Sequence, residues 1–340
     1  MWNPRNIFNE SKWLVAIVTA IVIGIVVCAV DVINVDGTVV KYQISVIVDD
    51  SNSARWDSFQ TGLRQAAREN GIRLNYVTTD FEGSPEQEKN LINQEIENGA
   101  DAVIVQLCSG SGGIDILSDV PANVYIELID NNVAKDELDN SKISFIGADS
   151  VQISSELATR IELDYGDLTG VRIGILAGNL KLASVQERIN AFKEVSQEAG
   201  AQIVFSVEAT ELSQREIGEL VSNNDADILV ALDNDVTETA ADYIEMVESY
   251  NSYPTNGQKN VKLYGIGCSP ENLSDLDQGI IGGMVVINEY EMGYMAINCL
   301  AEVLSDEHIR MNDYTVGYAY VTGETMYDEG NQQILFPIGD

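Results

Sequence analysis

The chain has 340 residues, of which 45% are hydrophobic, so it can bury one large core or two medium ones. Its 54 acidic side chains against 19 basic ones give a formal net charge of −35, which opposes phosphate backbones and excludes nucleic acid as an expected partner. One histidine, His308, and four cysteines without a CxxC pair or metal-ligand spacing offer little material for a histidine-based triad, a zinc site or a disulfide framework.

An apolar segment near the N-terminus, Trp13–Val30, contains no charged residue over 18 positions. As a helix it would be roughly 27 Å long, close to the thickness of a hydrocarbon core. Arg5 and Lys12 precede it, whereas Asp31 and Asp36 follow it. The positive-inside rule therefore predicts a single-pass helix in the cell membrane, with a cytoplasmic N-terminus and an extracytoplasmic remainder.

Two alternatives compete with an uncleaved anchor: a cleaved signal peptide, and a lipoprotein signal acylated at Cys28. Val27 stands where lipoprotein processing prefers a small residue, and no small-x-small cleavage site follows the apolar run. The sequence therefore favours the anchor. We expect a cytoplasmic tail over residues 1–12, the transmembrane segment and the start of a tether over 13–35, and the rest of the tether over 36–41.

From Tyr42 onward, predicted strands and helices alternate along the chain. The predicted strands are Tyr42–Val48, Arg73–Thr78, Ala102–Leu107, Val124–Ile129, Ile143–Ile146, Arg172–Leu176, Gln202–Val207, Ile228–Leu232, Lys262–Ile266 and Gly283–Ile287. The predicted helices are Ala54–Asn70, Pro85–Asn98, Val151–Tyr165, Ser184–Ala199, Ser213–Asn223, Asp235–Ser249 and Glu291–Asp306. This alternation predicts an α/β fold with parallel sheets wound by right-handed crossovers.

Two weak internal copies divide this part of the chain. Tyr42–Leu107 has the order strand, helix, strand, helix, strand, and Val171–Leu232 repeats it. The segment NGIRLNYV is echoed by AGAQIVFS, and EIENGADAVIVQL is echoed by LVSNNDADILVAL. We therefore predict two similar lobes, with the break between them near Gly147–Val151.

A polar cluster follows the first strand of the first lobe. The strand Tyr42–Val48 is apolar and β-branched, as expected of a strand buried on both faces. The next helix carries apolar residues at helical spacing: Trp56, Phe59, Leu63, Ala66 and Ala67. Between them lies DDSNSAR, at the carboxyl end of the strand. Ligands bind at this edge in open parallel α/β sheets, so the cluster is a candidate binding site.

Several segments together resemble the sugar-binding branch of the type I periplasmic binding protein superfamily, which includes ribose-binding proteins and the ligand domains of LacI-type repressors. They are the opening strand and helix, ENGADAVIV, GADS, ASVQERINAFKEV, ALDNDVTETAADYI, LYGIGCSPENLSDLDQGIIGGMVV and MYDEGNQQILFP. The resemblance extends from Tyr42 to about Pro337.

The resemblance implies two doubly wound lobes that close like a hinge on a small polar ligand. Three strands would connect the lobes, near Gly147–Ser150, Asn288–Tyr290 and Val321–Gly323. The first lobe would then comprise residues 42–147 and 290–320, and the second lobe residues 148–289 and 321–340.

The resemblance also implies ligand contacts at the strand ends that face the cleft. The matching positions in this sequence are Asp50, Ser53, Arg55, Trp56, Asp130, Asn131, Gln186, Asp233 and Asn288. Trp56 would stack on a sugar ring and Arg55 would donate hydrogen bonds, although core packing is an alternative role for Trp56. Asp50 could instead cap the helix. Gln186 aligns with the family's ligand-facing arginine, and Arg188 is expected to be structural.

The predicted cleft holds the carboxylates of Asp50, Asp130 and Asp233, with Arg55 as its clear cation. Carboxylates suit sugar hydroxyls and would also suit an amine, whereas anionic ligands are disfavoured. The resemblance therefore implies a membrane-anchored solute-binding protein for a sugar or polyol that serves an ABC importer, without enzymatic activity or a cofactor. The alternative is an anchored sensor domain that signals to a membrane kinase or transporter partner.

Overall fold

The computed structural model describes residues 40–48, 54–77, 84–108, 113, 115–117, 120–121, 123–133, 142–251 and 260–337. Within these residues, no helix has both the length and the apolar character needed to cross a bilayer. The predicted transmembrane segment Trp13–Val30 and the alternative acylation site Cys28 lie outside the described part of the chain.

The residues from Tyr42 onward form one compact unit that contains two sheets. Its strands are β1 (Tyr42–Ile47), β2 (Ile72–Val77), β3 (Ala102–Val105), β4 (Tyr125–Ile129), β5 (Ile143–Gly147), β6 (Arg172–Ala177), β7 (Gln202–Glu208), β8 (Ile228–Ala231), β9 (Lys262–Ile266), β10 (Ile281–Ile287), β11 (Tyr314–Thr315) and β12 (Tyr318–Val321). Its helices are α1 (Asp57–Asn70), α2 (Pro85–Glu97), α3 (Ser150–Tyr165), α4 (Ala183–Glu198), α5 (Gln214–Asn224), α6 (Asn234–Asn251), α7 (Pro270–Gln278), α8 (Glu289–Ser305) and α9 (Glu329–Leu335).

The two sheets have the same strand order. The first runs β2-β1-β3-β4-β5-β11 and the second runs β7-β6-β8-β9-β10-β12. The first five strands of each are parallel, as the crossover helices require. The sheets differ at their last strand, because β11 is parallel to β5 whereas β12 is antiparallel to β10. The internal duplication expected from the sequence therefore corresponds to two α/β lobes of matching topology.

Helices on both faces bury the central strands of each sheet. Every residue of β3 (AVIV) and of β8 (ILVA) is buried, which explains why these strands are apolar without alternation. Helix α1 turns its apolar face to the first sheet and packs against α8 through two glycines. A Cβ on Gly62 would lie within 2.1 Å of the Tyr290 carbonyl oxygen, and one on Gly293 within 2.2 Å of that of Phe59. Only glycine allows these two helices to approach so closely.

Three connections join the lobes, and hydrogen bonds hold them side by side. They follow β5, β10 and β11. The Val316 N–H donates to the Gly147 carbonyl at 3.1 Å, and the Asn288 N–H donates to the Gly317 carbonyl at 2.9 Å. These bonds link the third connection to the other two, so the three segments form one hinge.

The third connection lies earlier than the sequence predicts. It falls at Val316–Gly317, between β11 and β12, instead of at Val321–Gly323. The segment 318–320, expected in the first lobe, therefore pairs with β10 in the second sheet. The two strands that bracket this connection have two and four residues, too few for a period to be recognised in the sequence.

Candidate functional site

The carboxyl ends of strands from both sheets meet at a cleft between the lobes. A small cavity of about 10 Å³ lies there. It is lined by Arg55, Arg188, Asp233, Asn234, Ile266, Gly267, Cys268, Ile287 and Glu289. Most of these residues follow a strand or begin a helix, because the crossovers of a parallel sheet bring their turns to one edge.

Asp130 is the centre of a charged network in this cleft. Its Oδ2 accepts hydrogen bonds from Arg55 Nη2 at 2.7 Å and from Gln106 Nε2 at 2.9 Å, and its Oδ1 accepts one from Arg188 Nη2 at 3.2 Å. Burial alone would raise the pKa of Asp130. The two arginines and the hydrogen bonds outweigh it and lower the pKa to about 2. Asp130 is therefore a carboxylate at any physiological pH.

The backbone at Asp130 is unusual. Its φ of 58° is in the left-handed region, which Asp tolerates better than most residues. The N–H of Asn131 donates to the carbonyl of Ile129 at 2.6 Å and closes a tight turn directly after β4. Strained backbone of this kind is characteristic of ligand sites, and here the turn positions the carboxylate between two arginines.

Arg188 connects the lobes across the cleft. It lies on α4 in the second lobe, its side chain is only 5% exposed, and its partner Asp130 belongs to the first lobe. Its Nη1 also donates to the Leu232 carbonyl at 3.4 Å. The family resemblance implies a cleft position for Gln186 and a structural role for Arg188. In the structure Gln186 is exposed, and its Nε2 donates to the carbonyl of Leu180.

The geometry of α4 explains this difference. The helix begins at Ala183, and its buried face includes Ser184, Val185, Arg188 and Ile189. Successive residues of an α-helix are about 100° apart, so Gln186 lies about 160° around the helix from Arg188. In this structure the arginine is the one of the two that lines the cleft.

Glu289 begins α8 immediately after the second connection. Its side chain is 5% exposed, and its Oε1 lies 3.8 Å from Arg55 Nε. Burial raises the pKa of Glu289 to about 7, although Arg55 and a hydrogen bond with Cys268 act in the opposite direction. Cys268 follows β9 in the second lobe, and its Sγ also lies 4.0 Å from the carbonyl of Arg55. The hinge and both lobes therefore meet at this carboxyl group.

Asp233 and Asn234 lie after β8, and Asn234 is the first residue of α6. Burial raises the pKa of Asp233, and Arg55 opposes that shift. Asn234 has a structural arrangement, because its Oδ1 accepts hydrogen bonds from the N–H groups of Cys268 and Ser269 at 3.0 and 3.1 Å. It thereby fixes the turn after β9, on which Cys268 lies, against the start of α6.

Of the other predicted site residues, two are buried and one caps a helix. Trp56 is 1% exposed, packs edge-on against Phe59, and carries the Arg55 guanidinium 4.5 Å from its ring centroid. Asn131 is fully buried, and its Nδ2 donates to the carbonyl of Leu107 at 3.0 Å. Asn288 caps α8 by accepting from the N–H of Glu291. Their contacts with a ligand stay predictions, and Asp50 and Ser53 lie outside the described residues.

Two residues that contact the charged groups of the cleft were not predicted from the sequence. Gln106 comes directly after β3 and Glu289 directly after the hinge position Asn288. The strand ends themselves could have indicated both, because the carboxyl-end rule applies to every parallel strand and not only to the matched positions.

Among the described residues, no group of three His, Cys, Asp or Glu side chains is arranged to hold a metal ion.

The fold and the cleft define a two-lobed α/β ligand-binding domain with a hinge of three connections. A family model described as "Periplasmic binding protein domain" matches residues 44–308. The chain belongs to this family. No curated protein sequence matches it significantly.

Solved structures share the fold at low sequence identity. A carbohydrate transporter solute-binding protein from Agrobacterium radiobacter in complex with D-arabinose is 19% identical, with a TM-score of 0.73 over 87% of this chain and 99% of that one. An ABC transporter solute-binding protein from Agrobacterium vitis with bound D-fucose is 15% identical, with a TM-score of 0.73 over 86% and 100%. A chain of the XylFII–LytSN complex is 16% identical, with a TM-score of 0.68 over 84% and 98%.

Proposed function

We propose that the protein is a solute-binding protein that captures a sugar or sugar-like small molecule between its lobes for an ABC importer. Family membership and the fold shared with sugar-bound solute-binding proteins support this function. The observation that carries it is the 3.2 Å contact of Arg188 with Asp130, which joins polar groups of both lobes inside the cleft. Groups placed in this way act together on a ligand only when the lobes are closed.

The chemistry of the cleft suits a polyhydroxylated ligand. Asp233 and Glu289 can accept hydrogen bonds from hydroxyl groups, and Arg55 and Arg188 can donate to hydroxyl oxygens. Charged partners strengthen such bonds in a site from which water is excluded. The cleft residues therefore bind and orient a ligand, and no bond-making step is required of them.

The proposal includes the membrane anchor predicted at Trp13–Val30. With the N-terminus in the cytoplasm, residues 42–340 would face the outside of the cell, where an importer collects its solute. Protease accessibility of residues 42–340 in intact cells tests this orientation, and protection of that region would contradict it.

A thermal-shift screen of the full-length protein tests the binding function directly. Monosaccharides, polyols, amino acids and nucleosides would be compared at equal concentration. A ligand present at about 100 times its dissociation constant should add roughly 2.7 kcal/mol of apparent stability, and lobe closure should reduce the radius of gyration in solution scattering. A response to amino acids or nucleosides without any response to sugars would contradict the sugar assignment.

A second candidate function is a sensor that passes the ligand state to a membrane kinase. The observation that favours it is the likeness to a chain of the XylFII–LytSN complex, together with the anchor that the sequence predicts. Affinity purification of the full-length protein from its own membranes discriminates the two functions. Recovery of a permease supports the importer, and recovery of a histidine kinase without a permease supports the sensor.

A further inference from the structure

The cleft contains more carboxyl groups than its arginines bond to. Arg55 and Arg188 both bond to Asp130, at 2.7 and 3.2 Å. Glu289 is 3.8 Å from Arg55 Nε at its Oε1, which is beyond hydrogen-bond distance, and its buried Oε2 accepts no hydrogen bond. A buried carboxylate oxygen without a donor is costly, so this atom indicates a missing partner.

A second carboxyl group lies on the other wall of the same cavity. Asp233 Oδ1 accepts from the N–H of Asp235 at 3.3 Å, and neither cleft arginine bonds to it. Burial, Asp235 and Asp130 raise the pKa of Asp233 and outweigh the opposite effect of Arg55 and Arg188. Two carboxyl groups thus line a cavity whose two arginines both bond to Asp130.

We propose that the cleft prefers a ligand with a protonated amine, an amino sugar within the class proposed above, whose ammonium group bonds to Glu289 and is attracted by Asp233. An ammonium group brings three N–H donors and one positive charge, so it can donate to the unpaired Oε2 and at the same time stabilise the ionised form of Glu289. A neutral hydroxyl supplies the hydrogen bond without the charge, and a carboxylated sugar adds repulsion. This inference rests on the proposed sugar-binding function.

Matched sugar pairs test the preference on the full-length protein by calorimetric titration at pH 6.5. The pairs are D-glucosamine against D-glucose and D-galactosamine against D-galactose, with the neutral N-acetyl derivatives as further controls. We expect an amino sugar to bind at least tenfold more tightly than its neutral counterpart, a difference of about 1.4 kcal/mol. Glu289→Gln should reduce that ratio to less than threefold.

Glu302→Gln is the matched control variant, because Glu302 is an exposed residue of the same helix and lies outside the cavity. It should retain the full preference. Asp233→Asn provides an independent test from the other wall, should Glu289→Gln fail to fold. Equal affinity for both members of each pair overturns the amine preference and leaves sugar binding intact, as does a preference that survives both Glu289→Gln and Asp233→Asn. If none of the sugars binds, the proposed function fails as well.

Discussion

The two lobes present equivalent strand ends to the cleft but carry their acidic groups on different strands. In the first lobe the third and fourth strands along the chain end at Gln106 and Asp130. In the second lobe Asp233 lies two residues after the corresponding third strand, and Gly267 directly follows the fourth. A side chain at Gly267 has no room, because a Cβ there would lie 2.5 Å from Nδ2 of Asn272. The two lobes therefore share the positions of their strand ends, but their acidic residues follow different strands.

This difference determines which of the two aspartates forms ion pairs with the cleft arginines. Asp130 lies within reach of both arginines, and its pKa falls to about 2. Asp233 bonds to neither, and burial raises its pKa. Asp130 in the first lobe is thus held as an anion by two direct bonds to arginine, whereas Asp233 in the second lobe has no such bond. Asp130 therefore stabilises the arrangement of the cleft arginines, whereas we expect Asp233 to bond to a ligand.

Replacing Asp130 and Asp233 by alanine, one at a time, should change the stability of the protein by very different amounts. Asp130→Ala leaves two buried guanidinium groups without their shared partner, and loss of one partner from a buried ion pair costs about 3–5 kcal/mol in the free energy of unfolding. Asp233→Ala removes a carboxyl group that burial already disfavours, so it should cost less than about 1 kcal/mol. Urea denaturation of both variants measures the difference, and equal losses would contradict the distinct roles of the two lobes.

The pH dependence of stability should separate Glu289 from Asp130. The pKa of Glu289 rises from 4.5 to about 7, so its contribution is present below about pH 4.5 and is lost as the pH rises through about 7. For Asp130 the pKa falls from 3.8 to about 2, so its contribution is present above about pH 3.8 and is lost as the pH falls through about 2. The charged and titratable groups facing Glu289 are Arg55, Cys268, Asp130 and Arg188.

Comparing Glu289→Gln with the unmodified protein isolates the contribution of Glu289 to the pH dependence of stability. Between pH 5 and pH 8 the unmodified protein should lose on the order of 3 kcal/mol relative to the variant, because glutamine has no charge to bury. Urea unfolding at both pH values gives the comparison. If the stabilities of the two proteins change in parallel, Glu289 does not titrate in this range.

Much of this fold could be predicted from the sequence, because long apolar strands and amphipathic helices carry strong periodic signals. All ten predicted strands exist, and Lys262–Ile266 matches β9 at both ends. The elements that were missed, β11, β12, α7 and α9, are short or lie in segments without a clear period. The misplaced third connection follows from two of them.

The candidate site was less predictable, because side chains reach it through tertiary contacts. Arg188 and Gln186 are two positions apart in sequence, and only the start of α4 at Ala183 decides which one faces the cleft. Asp130 was predicted from the family resemblance, but its partners Gln106 and Arg188 lie 24 and 58 positions away. Spacing along the chain contains no information about such pairs.

The helix that follows the second strand begins after a serine in both lobes, and replacing these serines should change the free energy of unfolding only slightly. In the second lobe, Ser213 caps α5 through a capping box, in which the N–H of Ser213 donates to Glu216 Oε2 at 2.9 Å and the N–H of Glu216 donates to Ser213 Oγ at 3.4 Å. In the first lobe, Ser84 precedes α2 but its side chain makes no capping hydrogen bond. Ser213→Ala should therefore lower the free energy of unfolding by about 1 kcal/mol, and Ser84→Ala by a few tenths at most. Chemical denaturation of the two variants provides the comparison. Equal losses would mean that serine stabilises both helix starts in the same way, and the difference between the lobes would then be confined to the charges of the cleft.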